Sequence, residues 1–122
     1  MPLVQIDLPH ALFVEKGREI GVELQAAFAD TTSVPLNDRF QIFRPRNAGE
    51  IVFDPTYGDV DRRNLMIIQV LMVHQYPVDQ KRDLYRAMVN RLAKLGIRKE
   101  DIFIALHENS FEDWYAGRLY GE

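Results

Sequence analysis

The sequence predicts an α/β fold in which two β-α-β units share one sheet, with both helices on one face. Three observations carry this. Apolar residues alternate with period two from Leu3 to Leu8, immediately before a segment with helical periodicity. A near-continuous apolar run, Leu65 to Val73, is followed by a second helical pattern and a further apolar run, Asp101 to Leu106. The two halves, about 2–46 and 64–107, repeat the same order of strand, amphipathic helix, short polar loop and strand, roughly sixty residues apart and so longer than a solenoid unit. Strands within a unit are expected to be parallel, joined by right-handed crossovers.

In the first strand, Val4, Ile6 and Leu8 share one face, and Gln5 and Asp7 the other. From about Leu12 to Ala29, residues Ile20, Leu24, Ala27 and Phe28 line one side of a helix whose other side is charged. Asp30 to Ser33 reads as a loop, and Phe40 to Phe43 as a short strand. Asn47 to Arg63 is rich in Gly, Asp, Asn and Pro and reads as a loop carrying a short strand around Glu50 to Phe53. Pro77 stands where a second helix can begin without needing its missing N–H. Leu84, Met88, Leu92 and Leu95 form that helix's apolar face, and Gly96 is its stop. The last residues, 108–122, form an aromatic tail with Phe111, Trp114, Tyr115 and Tyr120, read as an interface segment.

The 122 residues fit one domain, 1–122, with 47% hydrophobic and 27% charged residues, as in a globular protein. A chain of this length buries a modest share of its surface, and the sheet's second face needs a cover. Self-association into a homotrimer is therefore expected. The net charge of −3 argues against nucleic acid as a partner. No apolar stretch is long enough to span a membrane, and the start, MPLVQIDLPH, lacks the basic and apolar regions of a signal peptide. With no cysteine, disulfides and thiolate metal sites are excluded. The expected location is cytoplasmic, with no membrane and no nucleic-acid partner. His10, His74 and His107 lack metal-ligand spacing, and there is neither a phosphate-binding glycine loop nor a nucleophile elbow. No metal and no cofactor are expected.

Pro2 is the residue with most chemistry to offer. Methionine before proline is readily removed, which would leave a secondary amine at the start of a strand. An ordinary α-amine titrates near 7.7–8.0, and burial or a nearby cation lowers that value into the range useful to a general base. Many proteins begin Met-Pro, so this pair alone does not specify an activity.

Three blocks are more specific together: MPLVQIDL at the start, VPLNDRFQIF in the middle and HENSFEDWYAGR near the end. In order and spacing, over nearly the whole chain, the sequence resembles the malonate semialdehyde decarboxylase-like branch of the tautomerase superfamily. That resemblance implies β-α-β halves, a homotrimer, and an amino-terminal proline acting as base or acid, here Pro2. It implies that Asp38 stands beside the proline to orient or activate water; otherwise Asp38 is a turn or cap residue before the strand. Trp114 matches an aromatic in the apolar wall of the site, and also suits an interface anchor. Asn109 and Ser110 fit the block without an assignable role.

One departure is plain. The family places one or two arginines between the central strand and the second helix to bind the substrate carboxylate and polarise its carbonyl. Here that stretch is Val73-His74-Gln75-Tyr76-Pro77. A phenol cannot make the bidentate charged bonds of a guanidinium. His74 can donate to a carbonyl or titrate near neutrality, or it is a strand-end histidine with a backbone partner. Arg39 adjoins Asp38 and is the first candidate to replace the lost cations; Arg44, Arg46, Arg62 and Arg63 read more readily as solvated charges or ion pairs. Glu108 could supplement Asp38, though its spacing does not demand it.

The sequence thus predicts a cofactor-free tautomerase-type enzyme moving a proton on a small enol or keto acid, with Pro2 and Asp38 catalytic and Arg39, His74, Tyr76 and Trp114 binding substrate. Alternatives are decarboxylation or hydration of a 3-carbon acid such as malonate semialdehyde, and a catalytically weakened trimeric binding protein. Without the arginines, decarboxylation is expected to be weak.

Overall fold

A computed structural model describes residues 2–120. Strand β1 (Pro2–Pro9) leads directly into helix α1 (His10–Thr31), which returns to strand β2 (Phe40–Arg46). Strand β3 (Met66–Val73), helix α2 (Val78–Ala93) and strand β4 (Ile102–Asn109) repeat the pattern. The sheet order is β2-β1-β3-β4. β1 and β2 are parallel, as are β3 and β4, while β1 and β3 meet antiparallel at the centre.

The alternation seen in the sequence fixes which face is buried. Val4, Ile6 and Leu8 of β1 and Met66, Ile68, Val70 and Met72 of β3 pack against Ile20, Leu24, Ala27 and Phe28 of α1 and Leu84, Met88 and Leu92 of α2. The two helices lie side by side on this face. The register puts Leu3, Gln5 and Asp7 on the opposite face with Phe40, Ile42 and Arg44 of β2 and with Leu71, Gln69 and Ile67 of β3.

Three expectations are corrected. α1 continues through Thr31 rather than yielding to a loop at Asp30, because Thr31 and Thr32 hydroxyls donate to the carbonyls of Ala27 and Phe28 (2.9 and 2.6 Å) and satisfy the helix end. β2 reaches Arg46 and β4 reaches Asn109, since each has a neighbouring strand to pair with along its full length. There is no strand at Glu50 to Phe53 among the described residues. That segment sits between a turn at Asn47–Glu50, with Gly49 at φ +86°, and a loop closed by Arg62 N–H donating to the Pro55 carbonyl (2.9 Å). Without a ladder partner its short apolar run has nothing to make it a strand.

The second helix ends as its sequence suggests. Gly96 has φ +83°, the Ile97 amide donates to the Leu92 carbonyl (3.3 Å) and the Gly96 amide to that of Ala93 (3.0 Å). This is a Schellman closure, sealed by Leu92 and Ile97 in the core. Residues 121 and 122 of the tail, and Met1, lie outside the described residues.

Candidate active site

One end of the sheet gathers most of the predicted residues. Pro2 is buried at the start of β1, opposite Met72 near the end of β3, and Met72 is opposite Glu108 near the end of β4. β1 is antiparallel to β3, so its first residue and the chain leaving β3 point out of the same end. The loop before β2 arrives there too, since Phe40 is opposite Leu3.

Asp38 is half-buried in that loop, its amide donating to the Pro35 carbonyl (3.1 Å). The loop is held from α1. Gln25, 3% exposed, donates through Nε2 to the carbonyls of Pro35 (2.9 Å) and Asp38 (2.7 Å). Tyr76 reaches the other side of the same connection: its hydroxyl bonds the Ser33 hydroxyl (2.8 Å) and accepts from the Ser33 amide (3.3 Å). Gln80, in the first turn of α2, donates to the Thr31 carbonyl (2.8 Å). The end of α1 and the start of α2 are thereby bound together above the sheet end.

His74 turns toward β4. Its amide donates to the Asn109 carbonyl (2.7 Å), the backbone partner expected of a strand-end histidine, and its Nδ1 lies 2.5 Å from Glu108 Oε2. Lys81 of α2 donates to the other Glu108 oxygen (2.5 Å). The Lys81 bond, opposed by partial burial and reinforced by His74, holds the Glu108 carboxyl below its ordinary range. Sequence reasoning noted Glu108 but could not rank it, because the residues that define it are 34 and 27 positions away.

Trp114 packs half-buried beyond β4 and donates through Nε1 to Asn109 Oδ1 (2.7 Å), which gives Asn109 the role that the sequence withheld. Ser110 and Asp113 cap the short turn before Trp114 reciprocally.

Arg39 departs from its expected place. Its Nε donates to Gln41 (2.9 Å), and its guanidinium lies against α1 so closely that a Cβ on Gly21 would stand 2.5 Å from it. Gln41 is opposite Val4, so this head group is level with the interior of β1 rather than with Pro2. Arg44 and Arg46 are occupied at Asp7, with Arg46 2.8 Å from Oδ1, and Arg63 pairs with Asp61 (2.8 Å). A cleft of about 530 Å³ opens at the opposite end of the sheet, between Pro9, Arg46, Ile51 and Phe53, away from Pro2.

The chain matches the family described as tautomerase enzyme over residues 38–117. It is 34% identical over 119 residues to the probable tautomerase YusQ of Bacillus subtilis (strain 168), covering 96% of this chain and 94% of that one. The chain belongs to the tautomerase superfamily. Within that superfamily it is similar to the decarboxylase branch: the structure of a malonate semialdehyde decarboxylase inhibited by 3-bromopropiolate superposes with a TM-score of 0.88 at 28% identity, covering 98% of this chain and 91% of that one. A fused 4-OT trimer shares the fold at a TM-score of 0.78 and 17% identity, with 94% and 92% covered. The chain is an enzyme of the tautomerase type with decarboxylase relatives, and the superfamily's β-α-β repeat is the one described above.

Proposed function

We propose that this tautomerase-superfamily enzyme moves a proton on a small enol or keto acid without a cofactor, using the amine of Pro2 exposed by loss of Met1. The observation that carries the reading is the placement of Pro2: buried, at the start of a central strand, at the end of the sheet where the loop before β2 and the chain leaving β3 also emerge. Burial disfavours the charged form of an amine, which favours the proline amine as a general base. The neutral amine takes the enol hydroxyl proton as the carbonyl forms, and the carbon gains a proton. Asp38, held by Gln25 through its backbone, orients substrate or water. Trp114 shields the site, where an apolar wall beside a few polar groups suits a small ligand.

Assembly as a homotrimer completes this reading. It is supported by the apolar sheet face left open in one subunit and by the trimeric assembly of a protein with the same fold. A cytoplasmic location fits a chain in which no helix among the described residues is long and apolar enough to cross a membrane.

Decarboxylation is the second reading, favoured by the similarity to malonate semialdehyde decarboxylase. It needs a polarised carbonyl and a bound carboxylate. No arginine stands in the connection between β3 and α2, and Arg39 is turned to α1. Exchanging a charged donor for a neutral one costs about 1.4 kcal/mol, or about tenfold in rate. Protein whose N-terminus has been verified by mass should be assayed on a panel of enol acids and on malonate semialdehyde. Ketonisation is expected to be readily measured, decarboxylation to be at least about tenfold slower, and Pro2→Ala to lose most activity, its primary amine serving only in part. Equal rates on both substrates, or full activity in Pro2→Ala, would overturn the reading.

A further inference from the structure

His74 occupies a position with two properties that a strand-end residue does not need. Its side chain is 72% exposed, and one ring nitrogen is engaged by a carboxylate that is itself anchored. Glu108 is kept ionised by Lys81 and His74, and an ionised carboxylate only accepts hydrogen bonds. The hydrogen between His74 and Glu108 therefore belongs to Nδ1. This fixes the tautomer and the ring orientation, and leaves Nε2 to exchange a proton with whatever faces it.

The position suits such an exchange. His74 lies two residues past Met72, the residue opposite Pro2, in the direction in which the Pro2 amine points. Two strand rises along and one strand spacing across place its backbone about 8 Å from that of Pro2. The ring itself is directed to Glu108 through Nδ1, so its Nε2 is the nitrogen left for a small acid at this end of the sheet.

We propose that His74 is the second proton-transfer group of this site, presented by Glu108 and delivering a proton from Nε2 to the carbon of an enol acid while Pro2 removes the hydroxyl proton. This rests on the proposed function above. In the step, the enol O–H bond breaks toward the Pro2 nitrogen and its electron pair forms the carbonyl. The C=C pair takes the Nε2 proton of the imidazolium. Prolinium and neutral imidazole remain; the first loses a proton to water, the second regains one, and the enzyme is reset. The imidazolium is the acid because only then does Nε2 donate while Nδ1 still donates to Glu108. Lys81 is the anchor: its bond to the second oxygen keeps the carboxylate facing the ring. His74 is thus catalytic in this proposal, and Glu108 and Lys81 are positioning residues.

The test uses the full chain with verified N-terminus and an enol acid as substrate. His74→Ala is expected to lower kcat about 100-fold, the range of general acid catalysis, with KM little changed. Added imidazole should restore part of kcat in His74→Ala and none in Pro2→Ala. Glu108→Gln should lower kcat in the wild type yet add little in the His74→Ala background, because residues acting as one unit are not additive. Wild-type kcat in His74→Ala, additive losses in the double variant, or a change confined to KM would overturn the proposal while leaving Pro2 as the base. A wild-type protein that does not ketonise enol acids would overturn both. His74 is exposed and outside every helix and strand, so its variants are expected to fold, as circular dichroism should show.

Discussion

At Glu108 the carboxylate accepts from Lys81 and His74, and its proton affinity is lowered chiefly by the Lys81 bond. The sign of the linkage follows. A depressed folded pKa adds stability above the ordinary value of 4.5, and that stability is lost as pH falls through the depressed value. The pair is only partly shielded, so the contribution is on the order of 0.5–1 kcal/mol. Glu108→Gln is expected to be less stable than wild type by about that amount at pH 7, and the difference should close by acid pH, as followed by urea unfolding. A difference that persists undiminished in acid would mean that shape, not charge, is what the position supplies. Asp101 is a contrasting carboxylate. It is buried at the foot of β4, where Oδ1 accepts from the amides of Arg63 and Asn64 (2.7 and 3.1 Å) and Arg98 lies 3.3 Å away. It ties the connection into β3 to the end of α2's return, a structural use of charge far from Pro2.

Elements meet at the site end through side-chain bonds to backbone carbonyls. Gln25 is the strongest such tie, since it satisfies two carbonyls of the loop that carries Asp38. Gln25→Ala should cost about 2 kcal/mol, through the loss of two bonds to partly buried carbonyls. It should also lower kcat, because a loop free to drift no longer fixes Asp38. Urea unfolding together with steady-state kinetics checks both; unchanged kcat in a destabilised variant would show that the tie serves folding alone. The elements themselves were legible in sequence because each has a period matched to its environment: Val4, Ile6 and Leu8 alternate, and Leu84, Met88 and Leu92 recur by helical turns. The ends were less legible. Thr31 and Thr32 read as loop residues, yet their hydroxyls close α1. Pairing partners, which extend β4 to Asn109 and leave Glu50–Phe53 without a strand, are set by distant segments. The same holds at the site. Pro2, Asp38, His74, Tyr76 and Trp114 could be named from local pattern and resemblance. The Glu108–Lys81 cluster and the turning of Arg39 toward Gly21 depend on contacts that no local window contains.

The whole subunit has one covered sheet face and one open one. On the open face Phe40 is 55% exposed, Ile42 44% and Phe103 43%, with Leu3, Ile67 and Leu71 half-buried among them. These apolar side chains flank Gln5 and Gln69 at the middle of the face, and covering them is worth about 25 cal/mol for each Å² of apolar surface removed from water. Along the β2 edge the same face carries Arg44 and Arg46, which share the single carboxylate of Asp7, so their charge is only partly offset there. Three copies packing these faces inward would bury them together, and the aromatic tail beyond β4 would lie across the boundaries. Ile42→Glu tests this at the scale it concerns. In a lone subunit the side chain meets solvent and folding should change by no more than about 0.5 kcal/mol. In a trimer it would place three carboxylates in a dry interior, where an unpaired charge costs several kcal/mol. Sedimentation of the wild type at micromolar concentration should therefore give a trimer, and Ile42→Glu a monomer with unchanged helical circular dichroism. Activity should fall with the assembly if a neighbouring copy helps close the Pro2 site. A wild-type monomer, or an Ile42→Glu trimer of undiminished stability, would show that this face is covered in some other way.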